Sequence, residues 1–304
     1  MIRIVRHAAV VLAATLALAA CGGGDPLNTQ PTAGGGTTPQ PDATKVIIGG
    51  FDFPGSTLLA SIYSQALQAK GVQVEEKLSV GARDVVYPQL QSGGLTVVPE
   101  YNGALLAYLD PENKAGTTDD VNTALKSKLP SGLELLTSSS AEDKDTLTVT
   151  KATATKLGLA TIEDLAKVSK TLAVGGPAEF KKRREAQFQE VYGLTFKRWE
   201  PTAAATADAL QSGKVQVGNV FSTDPRILTD GLVSLQDPKN VFSAQNVTPL
   251  VNKAGVNDTV RTTLDAISQK LTTEGLVEMM KRISIDKDDP PAVAKAWLQA
   301  NGLG

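Results

Sequence analysis

Between residues 45 and 99 the chain alternates short β-rich runs with stretches of helical period, and glycines close most of them. The run KVIIGGF at 45–51 is β-rich and ends in glycines, which predicts a strand. Residues 56–70 carry Leu58, Leu59, Ile62, Ala66 and Leu67 at helical spacing, with Ser56 as N-cap and Gly71 as the stop. The alternation over 72–78 predicts a second strand, residues 84–92 a short helix ended by Gly93, and 95–99 a third strand. Strand–helix–strand–helix–strand restricts the chain to an α/β sandwich with parallel strands, because parallel neighbours need a crossover helix between them.

The same alternation continues without any tandem repeat. Helices are predicted over 119–129, 162–168, 180–192, 203–212, 260–271, 275–283 and 292–301, with strands over 133–136, 147–150, 171–174 and 215–221. The part from Lys45 onward exceeds the usual size of one domain, so one large domain or two lobes both fit its length. Two α/β lobes would meet in a cleft, the preferred place for a ligand, and would close on it by a hinge.

The first residues have a different character. Arg3 and Arg6 precede an apolar stretch over 8–20, which ends in Leu18-Ala19-Ala20-Cys21 and is followed by three glycines. A positive start, a short apolar core and small residues at the cut predict a secretory signal over 1–20. The apolar stretch is too short for a permanent span of a bilayer core of about 30 Å. A cysteine directly after the small residues resembles a bacterial lipobox, which implies that Cys21 is acylated as the new N-terminus. Cys21 is the chain's single cysteine, so no internal disulfide can form. Residues 22–44 are rich in Gly, Pro, Thr and Gln and too poor in apolar side chains to fold, so 21–44 reads as a lipidated flexible tether.

Removing 1–20 takes away Arg3, Arg6 and the only histidine, His7, and leaves 28 basic against 32 acidic residues, a formal charge of −4. The one basic cluster, Lys181-Lys182-Arg183-Arg184, is too short to track a phosphate backbone, so nucleic acid is not an expected partner. Without histidine or a free thiol, the mature chain lacks Cys–His dyads, Ser-His-Asp triads and histidine-bearing metal sites. No phosphate-binding P-loop is present, and Gly49-Gly50 and Gly175-Gly176 are too sparse for a dinucleotide fingerprint. A carboxylate pair could still hydrolyse a glycoside, but nothing singles out a pair. No enzyme activity, metal or cofactor is expected.

One stretch is distinctive: GARDVVYPQLQSGGLTVVPEYNG at 81–103. Further pieces follow in order: Glu179-Phe180-x-x-Arg183-x-Glu185, Tyr192-Gly193-Leu194, Thr223-Asp224, Asp237-Pro238, Val293-Ala294 and the close over 298–303. Together they resemble the glycine betaine/carnitine/choline-binding proteins of ABC transporters, from about Lys45 to Leu303. The resemblance implies a two-lobe periplasmic-binding architecture (type II-like) with a hinge and an interlobe cleft. Lobe 1 would be 45–147 plus 250–304 and lobe 2 would be 148–249, with crossings near Leu147-Thr148 and Pro249. It further implies an importer for compatible solutes that binds by lobe closure. The partners would be a small solute, an ABC permease and the lipid anchor, and the protein would act as a monomer on the extracytoplasmic face of the membrane.

A quaternary ammonium donates no hydrogen bond and is held by aromatic faces, at about 0.5–2 kcal/mol per ring, while its carboxylate seeks an arginine fork. By resemblance Tyr101 belongs to the cage, Arg183 meets the carboxylate, and Phe221 stands where a cage tyrosine commonly sits, with Asp224 close behind. Phe53, Leu147, Gln245 and Asn246 occupy ligand-facing positions in the family pattern. There the chain departs from it: Leu147 and Gln245 replace aromatic residues, Ala104 replaces a hydroxyl residue, and Phe53-Pro54-Gly55-Ser56 replaces F-T-E-Q. With only 5% aromatic residues, no replacement ring is obvious, so the expected ligand is altered or broader. Each residue also has a plainer reading: Tyr101 and Phe221 as packing at strand ends, Arg183 on a solvated helix face, Asp224 as a turn cap and Gln245 in solvent. The competing function is a cell-envelope sensor or scaffold that keeps the fold without transport.

Overall fold

A computed structural model describes residues 45–304. The expected signal, the Cys21 anchor and the 21–44 tether lie outside the described residues.

The chain builds two five-stranded sheets in succession and returns to the first. It begins with β1 (Val46–Phe51), α1 (Pro54–Ala69), β2 (Val74–Gly81), α2 (Arg83–Gln91), β3 (Val97–Tyr101), α3 (Asn102–Leu109), α4 (Thr118–Lys128) and β4 (Leu133–Leu135). The second sheet and its helices follow as β5 (Asp145–Thr150), α5 (Lys151–Leu157), α6 (Ile162–Val168), β6 (Ala173–Gly176), α7 (Phe180–Tyr192), β7 (Arg198–Pro201), α8 (Thr206–Gln211), β8 (Val217–Phe221), α9 (Arg226–Thr229) and β9 (Leu232–Ser234). The return is β10 (Val247–Asn252), α10 (Asp258–Lys270), α11 (Thr273–Ser284) and α12 (Pro290–Ala300). Strand orders are β2-β1-β3-β10-β4 and β7-β6-β8-β5-β9.

The parallel strands expected over 45–99 are present, and antiparallel strands complete each sheet as a mixed one. β1 is parallel to β2 and β3, and β6 is parallel to β7 and β8, each pair joined through a helix. β10 runs antiparallel to β3 and β4, and β5 antiparallel to β8 and β9. These two strands arrive straight from the other sheet without a crossover helix, so they start at the edge where β3 and β8 end. Val247 is paired with Tyr101 and Asp145 with Phe221.

The same pairing moves the expected boundaries. All of β5 lies in the second sheet and all of β10 in the first, so Leu147-Thr148 and Pro249 are mid-strand residues rather than crossings. The chain passes between the sheets just before β5 and just before β10, where Glu142 and Asn246 form an antiparallel bridge.

Each sheet is packed on both faces. In the first, Leu58, Leu59 and Ile62 of α1 join Leu264, Ile267, Leu276 and Leu298 from the C-terminal helices. Its other face packs on Val86, Leu90, Leu105 and Leu125. In the second, Phe180, Phe188, Phe196 and Phe242 form one core with Leu147 and Val149. Their rings meet edge-on, 5.7–6.5 Å between centroids. Ser56 is not the N-cap of α1: the helix starts at Pro54, and the Ser56 hydroxyl inside the first turn accepts the Phe51 N–H at 2.7 Å. α6 carries a full capping box between Thr161 and Asp164, and α7 stops at Gly193, whose φ of 65° suits glycine.

Candidate ligand-binding cleft

The two connecting segments run side by side and are stitched together by polar contacts. The Asp143 N–H donates to the Gln245 carbonyl at 3.2 Å, and the Gln245 N–H to Glu142 Oε1 at 3.2 Å. The Ser222 hydroxyl, just beyond β8, accepts the Lys144 N–H at 3.0 Å and donates to the Glu142 carbonyl at 2.8 Å. A cavity of about 280 Å³ opens in front of this seam, between the ends of β1, β3 and β8 and the start of β5.

Rings from both sheets face it. Phe53 and Tyr101 come from the first sheet's edge, with centroids 6.1 Å apart, and Phe221 from the second. Phe53 is 39% and Phe221 55% exposed, more than packing residues would be, whereas Tyr101 is buried in the cavity wall. Burial pushes the Tyr101 hydroxyl well above its ordinary pKa, with the charges of Asp143 and Glu100 adding to the rise.

The charged residues fall into paired and underpaired groups. Arg83 holds Glu100 through two bonds of 2.6 and 2.9 Å, and Lys144 meets Glu142 at 2.6 Å. Asp143 Oδ1 accepts the Thr223 hydroxyl at 2.6 Å, and Asp145 Oδ1 accepts the Asn219 amide at 3.0 Å. Burial raises the Asp143 carboxyl above the usual carboxylate range against the lowering bond from Thr223, and the charge of Asp145 adds to the rise. Arg184 reaches Asp145 Oδ2 only at 3.5 Å, lies over the Phe242 ring at 5.0 Å, and keeps its Nε buried without a hydrogen-bond partner among the described residues. Burial lowers its guanidinium below the ordinary value, and Asp145 partly offsets this.

Of the residues singled out in the sequence, Phe53, Tyr101, Phe221 and Gln245 line this cavity. Gln245 is not a solvent residue: its Oε1 accepts the Ala104 N–H at 2.8 Å, which holds the start of α3 against the seam. Four others do not line the cavity. Leu147 is fully buried in the second core, two residues deeper along β5 than Asp145, which takes the cavity edge. Asn246 is consumed by structure: its Oδ1 accepts the Thr118 hydroxyl at 2.8 Å, its Nδ2 donates to the Ser139 carbonyl at 3.0 Å, and its N–H donates to Asn102 Oδ1 at 2.7 Å. Asp224 caps the turn into α9 by accepting the Arg226 N–H at 2.9 Å. Arg183 is not among the lining residues; its side chain is 45% exposed and 3.8 Å from Asp145.

Arg184, its neighbour on α7, lines the cavity instead. It lies four residues from both Phe180 and Phe188, the buried face of α7, and that spacing was readable in the sequence. Asp143, Lys144, Asp145 and Phe242 were also passed over. The first three sit where a connecting segment enters β5, and only the placement of β5 shows that they face a cavity. Phe242 is positioned by Asp237, whose carboxylate accepts the Phe242 N–H at 2.8 Å, the Val241 N–H at 3.1 Å and the Tyr192 hydroxyl at 2.5 Å.

Two α/β sheets joined by a double connection, with a ring-lined cavity at their shared edge, define a two-lobe periplasmic-binding fold. Solved structures of that fold superpose on it. A glycine betaine/carnitine/choline ABC transporter protein matches with a TM-score of 0.79 at 22% identity, covering 85% of this chain and 99% of that one. Apo YehZ from Escherichia coli matches with a TM-score of 0.75 at 24% identity, covering 86% of this chain and 100% of that one. The chain belongs to the OpuAC family, the substrate binding domain of ABC-type glycine betaine transport systems, which matches residues 44–300. Among curated proteins, the glycine betaine-binding protein YehZ of Escherichia coli K12 is 26% identical over 283 residues, covering 87% of this chain and 93% of its own length. The carnitine transport binding protein OpuCC of Listeria monocytogenes is 27% identical over 159 residues, half of this chain and 52% of its own.

Proposed function

We propose that this substrate-binding protein captures a small solute with a cationic nitrogen between its two sheets and closes on it about the seam at Glu142 and Asn246. The protein then passes the solute to an ABC permease, acting as a monomer held on the extracytoplasmic face of the membrane by lipidated Cys21. The observation that carries the reading is the convergence of Phe53, Tyr101 and Phe221 with Asp143 and Asp145 on one cavity. Ring faces and carboxylates both favour a cation, and closure would bring Phe221 toward the rings of the first sheet. An anionic end of the solute would meet Arg184. The ring set is sparse beside a full aromatic cage, so the preferred solute departs from glycine betaine itself.

Titration calorimetry of the purified protein with glycine betaine, carnitine and choline tests this. Saturable binding of at least one is expected, weakened about tenfold by Tyr101→Ala or Phe221→Ala, in line with the strength of one cation–π contact. Small-angle scattering should report a more compact particle on saturation. Binding that both substitutions leave unchanged would place the site elsewhere.

A further inference from the structure

We infer that the cationic nitrogen of the solute carries at least one N–H, so that the cleft takes a protonated amine or guanidinium in preference to a fully methylated ammonium. The inference rests on the cleft being the solute site and concerns the chemistry of the cation within it.

The free acceptors are the first ground. Asp143 and Asp145 both border the cavity, and each spends one carboxylate oxygen on a side chain of the second sheet's edge: Thr223 at 2.6 Å and Asn219 at 3.0 Å. Among the described residues, neither Oδ2 accepts a hydrogen bond. Asp145 Oδ2 has only the long approaches of Arg184 at 3.5 Å and Arg183 at 3.8 Å. The Tyr101 hydroxyl also makes no hydrogen bond among the described residues. All three residues line one cavity, and a closed cleft would strip water from their oxygens. A methyl group placed against an anionic oxygen leaves it unpaired, which is costly once water has gone, whereas an N–H pairs it.

The rings are the second ground. A methylated ammonium is satisfied by π-faces on several sides, because it has no other way to be recognised. Two rings near the cleft are already covered by the protein's own cations: Arg184 lies 5.0 Å over Phe242, and Arg83 lies 5.3 Å over Phe51. That leaves Phe53, Tyr101 and Phe221, too few to enclose a cation.

Matched pairs that differ by one methyl group test this on the intact protein: dimethylglycine against glycine betaine, and dimethylethanolamine against choline, by titration calorimetry at neutral pH. The N–H member of each pair is expected to bind about tenfold tighter, the worth of one charge-assisted hydrogen bond. Asp143→Asn and Asp145→Asn, checked for folding by thermal unfolding, should shrink that ratio toward unity. Equal or tighter binding of the methylated members would overturn the inference and leave the proposed site standing. A preference that survives in both variants would also overturn it. No binding by any of the four would overturn the inference together with the reading of the cleft.

Discussion

Replacing Arg83 by Met tests how the first sheet's edge is held beneath the cleft. The Glu100 side chain is 2% exposed and that of Arg83 22%, and the two are joined by bonds of 2.6 and 2.9 Å. Methionine keeps an apolar stem over Phe51 but leaves the buried carboxylate with only the Tyr101 N–H, at 2.7 Å. Breaking a buried pair from one side typically costs about 3–5 kcal/mol. The retained N–H and the partial exposure of Arg83 let water relieve some of this, so a loss of about 3 kcal/mol is expected. Denaturant unfolding of the empty protein measures it directly as a shift in midpoint at constant slope. The double variant Arg83→Met/Glu100→Leu removes the stranded charge and should lie within about 1 kcal/mol of the parent, because apolar replacement of a whole buried pair is often neutral. A loss below 1 kcal/mol in the single variant, or a double variant no more stable than the single, would refute the claim that a buried charge pair fixes the end of β3.

Gly103→Ala should destabilise by about 2–3 kcal/mol, read by thermal unfolding, because a Cβ there would overlap the Ala244 carbonyl oxygen and crowd the Gln245 amide. Asp143→Asn should raise the melting temperature of the empty protein at pH 7, with the gain vanishing near pH 4. The folded carboxyl holds its proton more tightly than the unfolded one, so the native aspartate loses stability as pH rises from about 4, the unfolded value, through its raised folded value. A gain that is constant with pH would contradict that sign. Arg184→Leu should weaken glycine betaine about tenfold while sparing choline, which has no carboxylate, and Arg183→Leu should change neither more than about twofold. Calorimetry on both variants separates the two arginines.

The elements that could be read from the sequence are those whose periodicity is their own. α7, α10 and α11 each bury one face, and their apolar spacing shows it, while α1 is buried along most of its length. β4 and β6 lie close to their predicted spans. The elements that escaped derive their structure from a partner. β10 reads VTPLVN and contains a proline, which argues against a central strand, yet it lies between β3 and β4. β9 is three residues long and pairs with β5 alone, and α3 is so short and apolar throughout that no face stands out. β5 and β10 set both sheet direction and crossing point, and the lobe boundaries that the resemblance implied fall inside these two strands.

The cleft divides along the same physical line. Tyr101 and Phe221 end strands, so locating β3 and β8 locates them at the sheet edge, and resemblance adds that this edge faces a ligand. Arg183 and Arg184 show where family pattern and helix geometry part company. The motif selects the first, while the aromatic spacing Phe180–Phe188 selects the second, because a residue midway between two buried rings four positions away must share their face. Asn246 looks like a ligand group in a sequence because it is polar and lies in a motif, yet every bond it makes is internal, and Asp237 acts on the cleft through the position it gives Phe242 and through its charge on Arg184. Asp143 and Asp145 are the reverse case. Nothing local distinguishes them from other acids of an acidic chain, and only the antiparallel entry of β5 turns them toward the rings. The chemistry that decides between a methylated and a protonated nitrogen therefore sits on residues whose meaning is purely tertiary.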